Sequence, residues 1–309
     1  MKALVYENSS VKLVNDYAKP VINQEESLVK ILIAAICNTD KEIIKGYKPD
    51  FSGIIGHEFV GIVEQSSDKS LIGKRVVGEL NAGCKECLYC KSGREKHCRS
   101  RRSLGIANKD GCFAQYMSIE TKLLHVVPDI LESEQAIFTE PLAAAIEILE
   151  QVHVKPSSNV AIIGDGRLAF MIAQVLSLTG VDLTVIGRHS EKLESFKPYA
   201  KVTTNVEDTY EIVVDATGSK TGIITAQKIT RAMGTIVIKS TYFGDASINL
   251  SSFVVDEIKI VGSRCGPFEP ALKLLKKGLI NFPKIELYNL EQYEEAFNSK
   301  AFKSGFILN

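Results

Sequence analysis

The segment Val160-Ala-Ile-Ile163-Gly164-Asp-Gly166-Arg167-Leu168-Ala169 constrains the fold more than any other. An apolar run meets two glycines one residue apart, and an apolar stretch from about Leu168 to Leu178 follows. A buried strand, a tight turn and an apolar helix account for that order. The pattern then repeats. Leu183–Ile186 reads as a strand with helical Glu191–Phe196 behind it, followed by a strand at Glu211–Asp215, a helix around Gly222–Ala232, and strands at Thr235–Ile238 and Ile258–Val261. Strands alternating with helices predict a doubly wound parallel sheet with right-handed crossovers.

The residues before Pro156 have another texture. Short β runs at Ala3–Tyr6, Leu28–Ile36, Phe59–Glu64, Arg75–Val77, Phe113–Ser118 and Leu124–Val127 are broken by Gly46, Gly53, Gly56, Gly73 and Gly83. Helical patterning appears at Glu132–Glu150. The tail, Pro267 to Asn309, holds a Lys-rich helix (Ala271–Lys277) and a last strand at Phe306–Leu308. With 309 residues, two domains are expected. The chain reads as an α/β protein: a β-rich domain, a nucleotide-type α/β domain and a short return.

In the turn, Gly164 permits the sharp bend, Gly166 lets a pyrophosphate approach the backbone, and small Ala169 lets helix and strand pack closely. The first helical residues, Arg167 and Leu168, offer free N–H groups to that phosphate, and Thr217 is a further expected contact. Such a turn occurs in other α/β proteins, but the surrounding βαβ pattern favours dinucleotide binding. At the end of the second strand, where an acid would bind the ribose 2′-hydroxyl, the chain has Gly187-Arg188-His189-Ser190 and no carboxylate until Glu191. An Arg fork suits a 2′-phosphate and Gly leaves room for it, so NADP(H) is expected over NAD(H).

Four of the seven cysteines fall within fifteen residues, as Cys84-x2-Cys87-x2-Cys90-x7-Cys98. Four thiolates from one loop suit a closed tetrahedral structural zinc site. The short final spacing and trailing Pro of an iron–sulfur run are absent. Basic residues from Lys85 to Arg102 flank the loop, and His97 reads as a neighbour of it. A second set is dispersed: Cys37 in Cys-Asn-Thr39-Asp40, His57 and Glu58 after Gly56, and Glu140 before Pro141. A catalytic zinc needs about three protein ligands and one open position. Cys37, His57 and Glu140 offer that mixture, Glu58 is a further ligand or neighbour, and Asp40 is placed to orient the imidazole. Singly, each has a plainer reading: Cys37 a small buried hydrophobe, His57 a satisfied core histidine, Glu140 an acid at a helix N-terminus.

Composition excludes other classes. Lys plus Arg and Asp plus Glu balance at 37 each, which opposes a nucleic-acid or membrane coat. The longest apolar run, Ile31–Cys37, is far short of the roughly 18 residues of a membrane span. The N-terminus lacks the apolar core of a signal peptide, so a cytoplasmic location is expected.

Together, Cys37-x-Thr-Asp40, Gly56-His-Glu58, the four-Cys loop, Gly73-Lys-Arg-Val76, Glu140-Pro-Leu142 and Gly164-x-Gly166 resemble the zinc-containing medium-chain alcohol dehydrogenase family, on its sorbitol and threonine dehydrogenase side. The resemblance spans nearly the whole chain. It implies a GroES-like catalytic domain from residues 1–141 and 263–309, with a Rossmann domain at 142–262. It implies two zinc ions per chain, with Cys37, His57 and Glu140 as catalytic ligands and Glu58 as an alternate one. Thr39 matches the hydroxyl that relays the alcohol proton. The activity implied is hydride transfer between a secondary alcohol or polyol (or its carbonyl product) and NADP(H) or NAD(H), in a homodimer or homotetramer. The alternatives are a zinc-independent NADPH quinone or enone reductase, and a non-catalytic NADP(H)-binding redox sensor on the same fold. Glu42 stands where some members carry a relay histidine, the chain is shorter than is common, and Cys112 and Cys265 match no zinc position.

Overall fold

The computed structural model describes residues 1–242 and 244–308. The chain forms two compact units: Met1–Glu140 with Ala271–Asn309, and Pro141–Pro270.

In the first unit the long strand Glu26–Ala35 is the organiser. It pairs antiparallel with Glu58–Gln65 and, along its first half, with Tyr116–Glu120. On its other side it takes the C-terminal strand Ser304–Ile307, so the tail completes the sheet begun by the N-terminal half. The strands Arg75–Gly78, Leu124–Val126 and Glu286–Tyr288 extend that sheet to seven. Ala3–Glu7, Ser10–Val14 and Gly53–Ile54 form a separate three-stranded sheet. Phe113 is fully buried in the core, edge-on to Phe306 at 5.0 Å and to Phe297 at 6.1 Å. Register decides what meets at the end of the organiser: Ala35 lies opposite Glu58 on one side and Gly305 on the other. The next residues along the three strands are Ile36 and Cys37, His57, and Ser304 and Lys303.

The second unit carries six parallel strands in the spatial order Lys201–Thr203, Asp182–Ile186, Asn159–Ile163, Tyr210–Asp215, Thr230–Ile238 and Lys259–Gly262. Numbered along the chain this is 3-2-1-4-5-6, the Rossmann order, with the switch point beside Asn159–Ile163. The helix Arg167–Ser177 has no charge after Arg167, and Ala169–Leu176 are all buried.

Several expected elements differ. The helical stretch Glu132–Glu150 is two helices, Ser133–Ala136 and Thr139–Gln151. The helix expected over Gly222–Ala232 is Lys220–Ile229, because Thr230 already begins a strand in register with Tyr210. The run placed at Phe113–Ser118 pairs as Tyr116–Glu120. The short strand Lys201–Thr203 and the helices Leu250–Val255 and Tyr293–Asn298 have no strong periodic signal.

Candidate metal centres and dinucleotide site

Cys37 follows the organiser strand and caps the helix Asn38–Ile44. Three residues on, Asp40 is fully buried and has two tasks. Its Oδ2 accepts the Cys37 backbone N–H at 2.8 Å, and its Oδ1 lies 3.2 Å from His57 Nδ1. Nδ1 therefore faces the carboxylate, which leaves Nε2 as the nitrogen that could bind a metal. Gly56, at φ +96°, delivers His57, and a Cβ there would lie 2.4 Å from the Phe113 ring. The ligand atoms of Cys37, His57 and Glu58 lie within 4.8 Å of one another. His57 and Glu58 are 3% and 1% exposed. Burial alone would push the His57 imidazole down, but the Asp40 carboxylate and Cys37 outweigh it and hold the imidazole well above its ordinary range. Among the described residues Glu58 Oε1 has no hydrogen-bond partner, nor does Oε2 beyond its ion pair with Lys303. A buried soft-and-hard donor set with an orphaned carboxylate atom fits a zinc ion.

Of the sequence-predicted ligands, Glu140 stands outside this group of three, in the first turn of the helix Thr139–Gln151. Thr39 lies beside Cys37, whose thiol donates to Thr39 Oγ1 at 3.7 Å. The sequence reading missed Lys303, whose ammonium pairs with Glu58 where both are almost wholly buried. The only hint is its place immediately before the strand Ser304–Ile307, two residues from Gly305, which lies opposite Ala35. Cys112 is buried and donates to the Glu58 carbonyl at 3.4 Å, and burial pushes its thiol well above the ordinary range.

Cys84, Cys87, Cys90 and Cys98 form the second cluster. Cys87 Sγ lies 3.5 Å from Cys90 Sγ, and Cys84 Sγ 4.0 Å from it. Backbone N–H groups point at the sulfurs: Cys87 donates to Cys84 and Cys84 to Cys98, both at 3.4 Å. N–H donation, from Cys87 and Glu86, lowers the Cys84 thiol to about 6, whereas burial raises Cys90 to about 12. Four sulfurs in such a nest fit a closed zinc site. Among the described residues the four cysteines alone make the group, and His97 stays outside it.

In the second unit Gly164 turns at φ +124°, and a Cβ there would lie 2.8 Å from the Ala216 carbonyl. Gly166 caps the helix Arg167–Ser177 and has open space where a Cβ would project. This cradle fits a pyrophosphate against free helical N–H groups of the Arg167 and Leu168 turn. Thr217 follows the strand Tyr210–Asp215, held by the Asp215 carboxylate through its N–H (3.0 Å) and hydroxyl (2.7 Å). Arg188 and His189 are exposed at the end of Asp182–Ile186.

Residues 23–129 match the alcohol dehydrogenase GroES-like domain family, and residues 145–248 the family described as shikimate / quinate 5-dehydrogenase. Both parts of the chain are thus similar to zinc-type alcohol dehydrogenases and their polyol-dehydrogenase relatives. The chain is an oxidoreductase, with the GroES-like domain and a parallel-sheet Rossmann domain. The dehydrogenase is 26% identical to D-arabinitol dehydrogenase 1 of Uromyces fabae, over 97% of this chain and 94% of that one. Among solved structures, a dehydrogenase from Sinorhizobium meliloti bound to NADP superposes with a TM-score of 0.90, at 23% identity over 99% of this chain and 98% of that one. A short chain alcohol dehydrogenase from Escherichia coli CFT073 in complex with NADH gives 0.90 at 22% identity, over 100% and 99%. Among the described residues of the dehydrogenase, no helix is long and apolar enough to cross a membrane.

Proposed function

We propose that the protein is a zinc-dependent oxidoreductase that transfers a hydride between a secondary alcohol or polyol, or its carbonyl product, and a nicotinamide cofactor, with NADP(H) favoured. The observation that carries this reading is the convergence of Cys37, His57 and Glu58, with His57 pinned by buried Asp40. Cys37, His57 and a carboxylate from Glu58 or Glu140 would hold the catalytic ion, and the four-Cys loop a structural one. Zinc held there would supply Lewis acidity toward the substrate oxygen, and a nicotinamide held by the second unit would supply the hydride acceptor or donor.

The protein's own residues do the rest. Asp40 keeps a proton on His57 Nδ1 and so keeps Nε2 free to bind metal. Thr39 takes the alcohol proton, its hydroxyl standing beside Cys37. Gly164, Gly166, Arg167, Leu168 and Thr217 hold the dinucleotide, and exposed Arg188, with His189, suits a 2′-phosphate. That the Uromyces relative is named a D-arabinitol dehydrogenase supports polyols as the substrate class. We place the enzyme in the cytoplasm as a homodimer or homotetramer. Support for assembly comes from the exposed edge strand Lys259–Gly262 and from the exposed apolar Leu250, Val254 and Val255.

The test is oxidation of D-arabinitol, sorbitol and simple secondary alcohols with NADP⁺ and NAD⁺, by wild type and Cys37→Ser. Turnover abolished in the variant, with the four-Cys zinc retained, is expected. Equal turnover in both would favour the zinc-independent reductase. Cofactor binding without turnover on any alcohol or carbonyl would favour the redox sensor.

A further inference from the structure

The strand end that lacks an acid in sequence has one in space. Asp165, the residue between the two glycines of the phosphate turn, reaches across to the end of Asp182–Ile186. Its Oδ2 accepts the backbone N–H of Arg188 at 2.8 Å and of His189 at 2.9 Å, and lies 2.9 Å from His189 Nδ1. A Cβ at Gly187 would lie 2.8 Å from the Asp165 Cβ and 2.9 Å from its Oδ2. The two positions therefore share one volume. Gly187 clears room, but the Asp165 side chain takes it. Three donors converge on Oδ2, while Oδ1 accepts no hydrogen bond from any described residue and is not among the sealed, unpartnered atoms. The N–H donors from His189 and Arg188 outweigh burial and keep the carboxyl below its ordinary range, so it is charged.

We infer that Asp165 is a specificity-determining residue of the dinucleotide site, whose Oδ1 accepts a hydroxyl of the adenosine ribose. This rests on the Rossmann reading above. A carboxylate at this corner hydrogen-bonds an unphosphorylated ribose and repels a 2′-phosphate. Arg188 pulls the other way from the same two-residue turn. The selection between NADP(H) and NAD(H) is then a balance: Arg188 favours the phosphate, and Asp165 holds that preference down and keeps NAD(H) usable. His189 keeps the carboxylate aimed, as its ring and backbone both bind Oδ2.

The experiment is equilibrium titration of the zinc-loaded protein with NADH and NADPH. Nicotinamide fluorescence is the readout, which the absence of tryptophan keeps clean. Asp165→Asn is the variant, because the amide oxygen can still accept both backbone N–H groups. The ratio Kd(NADH)/Kd(NADPH) should rise about tenfold or more, the scale of one charge-assisted hydrogen bond, with the unfolding midpoint unchanged. Arg188→Gln should move the ratio the opposite way. A ratio unchanged within twofold, or both Kd values rising together, would show that Asp165 only braces the turn and would overturn the assignment. If Asp165→Asn does not fold, Asp165→Ser is read by the same criteria. A wild type that binds neither cofactor would remove the dinucleotide-binding reading itself, whereas one that binds both and ignores Asp165 would remove only the ribose assignment.

Discussion

Replacing Asp40 with Asn removes one charge and changes no volume, at a position where one carboxylate oxygen is hydrogen-bonded and the other faces the His57 ring. Oδ2 accepts the Cys37 N–H and Oδ1 faces His57 Nδ1. An amide has one acceptor, so each orientation fails somewhere. With its oxygen on the Cys37 N–H, its NH2 meets Nδ1, which must then give up its proton. The proton moves to Nε2, where it blocks the metal. With its oxygen on His57, its NH2 opposes the Cys37 N–H. Asp40 is 0% exposed, so no water relieves either conflict. A buried unsatisfied donor costs about 1–3 kcal/mol. Lost outer partners of ligating histidines weaken metal binding about 10- to 100-fold, or roughly 1.4–2.8 kcal/mol, in the same range. The assay is zinc affinity of Asp40→Asn by competition with a chromogenic chelator. One zinc should bind 10- to 100-fold more weakly than in wild type, while the four-Cys zinc is unchanged. Two sites within twofold of wild type would refute the reasoning.

Three further perturbations follow from the same geometry. Lys303→Met leaves the Glu58 carboxylate buried without its cation, a loss of about 3–5 kcal/mol. The urea midpoint of zinc-free protein should fall accordingly, and zinc should restore part of it by giving Glu58 another positive partner. Gly56→Ala drives a Cβ into the Phe113 ring from a φ of +96°; it should cost about 1–3 kcal/mol or more and displace His57, read as a lower melting temperature together with zinc loss. Glu26 tests acid lability. Burial pushes its carboxyl up, but Lys109 and the Asn23 N–H pull harder and leave it below its ordinary value of 4.5. Its stabilisation is thus full above that value and lost as pH falls through the lower folded value. Lys109→Met should flatten the change in urea midpoint across that acid range.

What the sequence made legible follows from distance along the chain. The four cysteines sit on one loop, so their spacing alone predicts that they converge, as they do. Asp40 lies three residues from Cys37, one helical turn, and its role was readable from that interval. The parallel sheet announced itself because strands and helices alternate with strong apolar runs. Lys303 had no such signal, because it reaches Glu58 only through the pairing of Ser304–Ile307 with Glu26–Ala35. The Asp165–Gly187 relation is likewise one of shared space rather than sequence interval. Gly187 and Arg188 read alone suggest an empty corner, and the carboxylate that occupies it arrives from the previous turn. Short elements such as Lys201–Thr203 hold too few residues for a period to show.

The central claim is that two separate sets of side chains each bind zinc and that one of them is catalytic. Zinc per chain, measured by elemental mass spectrometry on protein purified without chelator, tests it most directly, with Cys37→Ser beside wild type. Two zinc ions in wild type and one in the variant, with polyol oxidation lost only in the variant, is the expected result. One zinc in both proteins, unchanged after zinc is added back, would leave the four-Cys loop as the sole metal site and contradict the account.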